Sequence, residues 1–265
     1  MLFLFLALVL GFGLVSILAA VMQSAFGIDS TPAMRILAVV QDLLIFILPA
    51  VITAVLACRQ PAQLLCLDVK PRPLPLVMAI CTLICSIPAM DAIIWLNQQL
   101  PMPESFAAME QSAEQMVRAL QGEHTVGNLL MSILIVGVFA GLSEEIFFRG
   151  ALQRLLATGG LRPHAAIWLA AVIFSCMHFQ AYGFVPRMLL GAFFGYTLYW
   201  TRSLWVPVIL HVINNTVYLI TQWLAAPGDA DMASDYSNPA VLLMIVASVV
   251  LTAFGLHLTR KATRV

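Results

Sequence analysis

Long apolar stretches alternate with short polar breaks along nearly the whole chain, and the length of each stretch carries the first information. A helix that crosses a bilayer needs roughly 20 mostly apolar residues, and eight stretches reach about that length: 2 to 22, 34 to 57, 74 to 96, 126 to 148, 164 to 181, 184 to 201, 204 to 224 and 239 to 259. The pattern predicts an all-α polytopic membrane protein of about eight transmembrane helices. "MLFLFLALVLGFGLVSILAAVM" lacks the positive region of a secretory signal and is too long for its usual apolar core, so it reads as a first span. A cleavable signal ending in "AAVMQSA" is the alternative.

One polar break has a pattern of its own. Phe106, Met109, Ala113, Met116, Val117 and Leu120 recur at helical spacing with Glu110, Glu114 and Arg118 between them. This predicts an amphipathic helix, lying either along the outer membrane face or as a cap over the bundle. "CRQPAQLLCLDVKPRPLPL" reads as a proline-rich connector, and no internal repeat is visible. The chain divides into an N-terminal membrane region with its amphipathic outer loop (1–125), a core (126–224), and an outer loop with the last span (225–265).

Composition agrees. Of 265 residues 62% are hydrophobic and 10% charged, with a mean hydropathy of +0.96. A soluble domain would carry about a quarter charged residues. With a formal net charge of zero there is no electrostatic case for nucleic acid as a partner. Cys58, Cys66, Cys81, Cys85 and Cys176 make no C-x-x-C pair and read as small core residues.

Basic loops stay in the cytoplasm. With a cytoplasmic N-terminus, Arg59, Lys70, Arg72, Arg149, Arg154, Arg162, Arg202, Arg260, Lys261 and Arg264 fall inside, and only Arg35, Arg118 and Arg187 fall outside. The acidic loops, Glu104 to Glu123 and "GDADMASD", then lie opposite. The expectation is a multi-pass protein of the cell membrane, a bacterial inner membrane, with both termini cytoplasmic.

Ionisable groups inside spans are costly and mark function or structural pairing. Here they are Asp42, Asp91, Glu144, Glu145, His178, His211 and His257, with Asn214 and Asn215 beside them. Adjacent helical residues point about 100° apart, so Glu144 and Glu145 have different roles. Glu145 and Arg149, four apart with the acid first, suit an intrahelical ion pair, which leaves Glu144 facing something else. His211 and Asn215 share one face while Asn214 turns away; Phe174 shares a face with His178. Glu144, His178, His211 and Asn215 can therefore converge from three helices to activate a water and hold an oxyanion. Asp42 and Asp91, without spaced partners, and His124, His164 and His257, at span ends, read as structural. Two further readings are a proton-coupled transporter using Glu144, His178 and His211 as a relay, and a non-catalytic scaffold or immunity factor that binds a membrane peptide.

"EEIFFR", "FSCMH" and "HVINN" together resemble the CPBP family, the CAAX-protease and bacteriocin-processing intramembrane endopeptidases also called Abi. The family pattern E-E-x-x-x-R, F-x-x-x-H, H-x-x-x-N is met in order by Glu144, Glu145 and Arg149, by Phe174 and His178, and by His211 and Asn215. The resemblance implies hydrolysis of a peptide bond of a membrane-associated peptide or protein, in a cavity open toward the cytoplasm. It makes Glu144 and His178 the water-activating pair, His211 and Asn215 the oxyanion donors, and Glu145 and Arg149 their support. No cofactor is called for; zinc on Glu144, His178 and His211 is the alternative, although the chain has no H-E-x-x-H. One tension remains: His178 stands roughly 14 residues, or 20 Å, above the start of its span. Either that span starts later or the pocket lies deeper than Glu144 suggests.

Overall fold

The computed structural model describes residues 2–26, 30–101, 103–225 and 236–264, so the "GDADMASD" loop falls outside the described residues. Among the described residues the chain is helical and contains no strand. In chain order the principal helices are α1 (Leu2–Phe26), α2 (Thr31–Ala57), α3 (Pro73–Gln98), α4 (Glu104–Gln121), α5 (Val126–Thr158), α6 (Pro163–Cys176), α7 (Phe184–Thr201), α8 (Trp205–Leu224) and α9 (Pro239–Ala262). Of these, α1, α2, α3, α5 and α9 are long and apolar enough to cross a membrane. The chain is a multi-pass membrane protein.

Every predicted span is a helix, and the predicted amphipathic helix is α4. Two boundaries differ in ways that matter. The fourth span continues past 148 to Thr158, because Gly150 to Leu156 are buried or half-buried against protein and no breaker comes before Gly159 and Gly160. The fifth ends at Cys176, not 181, so His178 lies on the turn after α6. Glu144 thus stands about 14 residues before the end of α5 and His178 about 15 after the start of α6, roughly 21 Å in each case. The apparent difference in depth disappears.

Local signals set the ends. Thr125 accepts a hydrogen bond from the Asn128 amide and caps α5, and Asn238 caps α9 through the Ala240 amide. Pro163 and Pro239 sit in the first turns of their helices, where a missing N–H costs nothing. Inside α3, Pro88 interrupts the backbone ladder, and Ser248 of α9 inserts its hydroxyl: the Ala89 amide donates to Ser248 Oγ (3.1 Å), which donates to the Cys85 carbonyl (2.5 Å). This stitches α3 to α9 through lipid depth, where an unsatisfied amide is expensive.

The two ends of the bundle are chemically distinct. At one end the connector 58–72 folds under α5, α7 and α8: the Leu204 amide donates to the Cys66 carbonyl (2.9 Å), Ser203 to Val69 (2.6 Å), and Arg72 to the Thr263 carbonyl (2.7 Å). Arg154 donates there to Cys66 Sγ (3.1 Å), and Arg59, Lys70, Arg162, Arg202 and Arg260 fall in the connectors or helix ends that follow or precede these helices. At the other end Arg35 donates to the Leu120 and Gln121 carbonyls (both 2.9 Å) and to Asn128 Oδ1 (3.1 Å), holding the C-terminus of α4 against α2 and α5. Asn97 donates there to the Tyr182 carbonyl (2.9 Å), and His124 stacks on Trp223 with ring centroids 4.3 Å apart.

The charge tally read from sequence needs two corrections. Arg149 lies in the bundle core, not at the basic end, and Arg35 is a buried clamp and not a loop charge. The cysteines also divide: only Cys66 is buried, whereas Cys81 and Cys176 are exposed, because apolar surface facing lipid needs no burial in protein.

Candidate active site

The site is built from α5, the turn after α6, and α8. Alpha-helical turns of α5 are interrupted by π-helical ones at Ile133–Phe139 and Ile146–Gln153, on either side of the two glutamates. Such turns are frequent at functional sites, where they shift the register of side chains. Glu145 faces inward and is fully buried. Its Oε1 accepts from Arg149 Nη1 at 2.7 Å and from His211 Nδ1 at 2.7 Å, so the predicted ion pair exists and extends to a histidine on α8.

Arg149 is equally buried. Nη2 donates to the Gly191 carbonyl (3.1 Å) and the guanidinium carbon lies 4.4 Å from the Phe174 ring centroid, a cation–π contact in a dry setting. Gly191 is required by this approach: a Cβ there would sit 3.1 Å from Arg149 Nη2 and 3.2 Å from both Ala171 and Phe174. One turn on, a Cβ at Gly195 would meet Gln153 Oε1 at 2.6 Å. The two glycines let α7 close onto α5 and α6, as small residues do between membrane helices.

Glu144 turns the other way, as adjacent helical positions must. Its Oε2 lies 3.7 Å from His211 Nε2 and 4.0 Å from His178 Nε2, and is buried without a hydrogen-bond partner. These separations are too long for direct hydrogen bonds and of the order that one bridging water spans. Both imidazoles are oriented by their other nitrogen. His178 Nδ1 is 2.9 Å from the Phe174 carbonyl, which only accepts, so Nδ1 carries hydrogen and Nε2 offers a lone pair toward Glu144. His211 Nδ1 likewise donates to Glu145, and Nε2 is the atom facing Glu144. Phe174 packs edge-on to His178 (4.8 Å) and His211 (5.8 Å), fixing both rings.

Asn215 lies one turn beyond His211 on the same face of α8. Its Nδ2 donates to the Val136 carbonyl (3.1 Å) in the first π-helical stretch of α5, and Oδ1 accepts from Asn214 at 3.4 Å. His124 and His164 have structural partners, Trp223 and Tyr196.

Two residues of this neighbourhood were not legible as such. Asp42 of α2 is buried against Ser143, within electrostatic reach of Glu144. Arg187 of α7 donates to Gln180 Oε1 (2.6 Å), keeps Nη1 buried without a partner, and lies within electrostatic reach of Glu144. A Cβ at Gly183 would stand 2.7 Å from its Nη2, so that glycine makes room for the guanidinium. Neither residue has a spaced partner in sequence; only the fold brings it to the site.

Among the described residues no group of three or more His, Cys, Asp or Glu side chains is disposed to hold a metal. No step below is routed through a metal.

Residues 126–217 match the family described as type II CAAX prenyl endopeptidase Rce1-like. That segment is similar to the family. It holds every residue of the three motifs and the whole of the pocket just described except Asp42. The chain is also 28% identical over 90 residues to "Uncharacterized protein YpbD" of Bacillus subtilis (strain 168), covering 32% of this chain and 43% of that relative, less than half its length. No solved structure matches the chain. The Rce1-like match supports peptidase chemistry at the level of the family.

Proposed function

We propose that the chain is an intramembrane endopeptidase of the cell membrane that hydrolyses a peptide bond of a membrane-associated peptide or protein, with its basic end and both termini in the cytoplasm. The observation that carries this reading is the buried, unpartnered Glu144 Oε2 facing the Nε2 atoms of His178 and His211. A water held between Glu144 and His178 gives a proton to the carboxylate as its oxygen attacks the carbonyl carbon. His211 acts here as the imidazolium: Nδ1–H stays on the Glu145 carboxylate and Nε2–H donates to the oxyanion, and Asn215 adds a second donor by turning Nδ2 from Val136. As the C–N bond breaks, Glu144 returns its proton to the leaving amine. Glu145 and Arg149 take no proton; they hold His211 in register.

The substrate class in keeping with this site is a leader peptide, bacteriocin or membrane-protein tail. The test is cleavage of a panel of such peptides in detergent by wild type and Glu144→Gln, with and without a zinc chelator. Cleavage that vanishes in Glu144→Gln and survives chelation is the expected result. Cleavage retained by Glu144→Gln would overturn the assignment, and loss on chelation would replace the metal-free chemistry.

A further inference from the structure

We infer that Arg187 is a positioning residue of the candidate site: through Gln180, over the bare backbone of Gly183, it clasps the turn 177–183 and so sets where His178 Nε2 faces Glu144. That His178 does chemistry rests on the peptidase reading; that the clasp fixes its place does not.

Glu144 and His211 sit inside helices, whose backbone ladders hold them, and His178 does not. It follows the last turn of α6, its amide donates to the Ser175 carbonyl at 3.3 Å, and Phe179 beside it takes φ 53°. An aromatic residue keeps that left-handed conformation only where its surroundings impose it. The end of the turn is tied by Ser175 Oγ, which donates to the Phe184 carbonyl (2.7 Å), and by Asn97, which donates to the Tyr182 carbonyl (2.9 Å). Gln180, two residues after His178, is held by a cation: Arg187 Nη2 donates to its Oε1 at 2.6 Å, and a charged donor makes such a bond short and strong.

Arg187 has little else to hold. Among the described residues Gln180 is the one acceptor of its guanidinium, no carboxylate forms an ion pair with it, and Nη1 is buried without a partner. Its charge nevertheless lies within electrostatic reach of both Glu144 and His178. Gly183 completes the clasp. Its φ of −79° is open to any residue, so the glycine serves space and not backbone. A Cβ there would stand 2.7 Å from Nη2 and 3.2 Å from Cζ of Arg187, which pushes the guanidinium off Gln180. A change at Gly183 thus breaks the contact and keeps the charge.

Three variants of the full chain in detergent test the clasp: Arg187→Met removes the cation, Gln180→Ala the acceptor, and Gly183→Ala the room between them. In the cleavage assay that Glu144→Gln controls, each should lower kcat about 10- to 100-fold with KM little changed, as a small misplacement of a reacting group does. Arg187→Lys should recover part of the loss. Arg187→Met combined with Gln180→Ala should be no worse than Arg187→Met alone, because both break one contact. The second readout needs no substrate: ring-nitrogen NMR of histidine-labelled protein, with the His178 signals assigned by their loss in His178→Gln. They should shift or broaden in Gln180→Ala and Gly183→Ala while those of His164 stay, which separates a local change from a lost fold. His178 signals unmoved in both variants, additive losses in the double variant, or kcat unchanged throughout would each overturn the inference. Gln180→Ala and Gly183→Ala carry the test by themselves if Arg187→Met does not fold. Moved His178 signals without any Glu144-dependent cleavage would retire the peptidase reading and leave the clasp standing.

Discussion

Glu144 and Glu145 show how one bond along the chain can separate two roles. Their divergence was legible, because neighbouring helical side chains cannot share a proton and Arg149 sits four residues after Glu145. Sequence could not show that Glu145 also accepts from His211, since that contact joins α5 to α8 across 66 positions. Arg149→Met leaves the Glu145 charge buried without its cation, and a loss of about 3–5 kcal/mol is expected, read from the thermal midpoint in detergent. Adding Glu145→Gln to that variant should recover part of the loss; no recovery would mean that Arg149 acts through Phe174 and Gly191 alone. Asn215→Ala should lower kcat by about 10² to 10³ if its amide meets the oxyanion, with KM little changed. A fall in stability with kcat intact would instead confine Asn215 to the Val136 contact.

At the scale of elements, apolar length located the spans and says nothing of which ones line a site. The core helices α6, α7 and α8 are shorter or more polar than the lipid-facing ones because protein, not lipid, covers much of their surface, and that relaxes the hydropathy they need. The end of α6 at Cys176 could not be read, since "MHFQAYG" carries no strong breaker before Gly183; the chain turns there with Phe179 at φ 53°, and Ser175 Oγ donates across the turn to the Phe184 carbonyl. Gly191→Leu should prevent α7 from closing on Arg149 and Phe174, and the expected readout is loss of monodisperse protein in size-exclusion chromatography. Ser248→Ala removes the hydroxyl that completes the backbone ladder at Pro88, and a cost of about 1–3 kcal/mol is expected from the thermal midpoint. An unchanged midpoint would show that water or a neighbouring side chain reaches that amide.

At the scale of the whole molecule, α4 is the amphipathic helix that the pattern predicted: its C-terminus is clamped by Arg35, and Met109, Ala113 and Met116 lie beside His178. Arg35→Leu should free that clamp, raising hydrogen exchange across 104–121, while exchange in α6 and α7 stays as in wild type. The sequence by itself determined the helical class, where the helices fall and the residues of the three motifs, although of the eight predicted spans five are long and apolar enough to cross a membrane. Those follow from transfer energies and from the period of one helix, which act within a single segment. Tertiary structure alone decided the depth at which Glu144 and His178 meet and the recruitment of Asp42 and Arg187. Each of these depends on how distant helices are set beside one another, and packing of that kind leaves no periodic trace in a single chain.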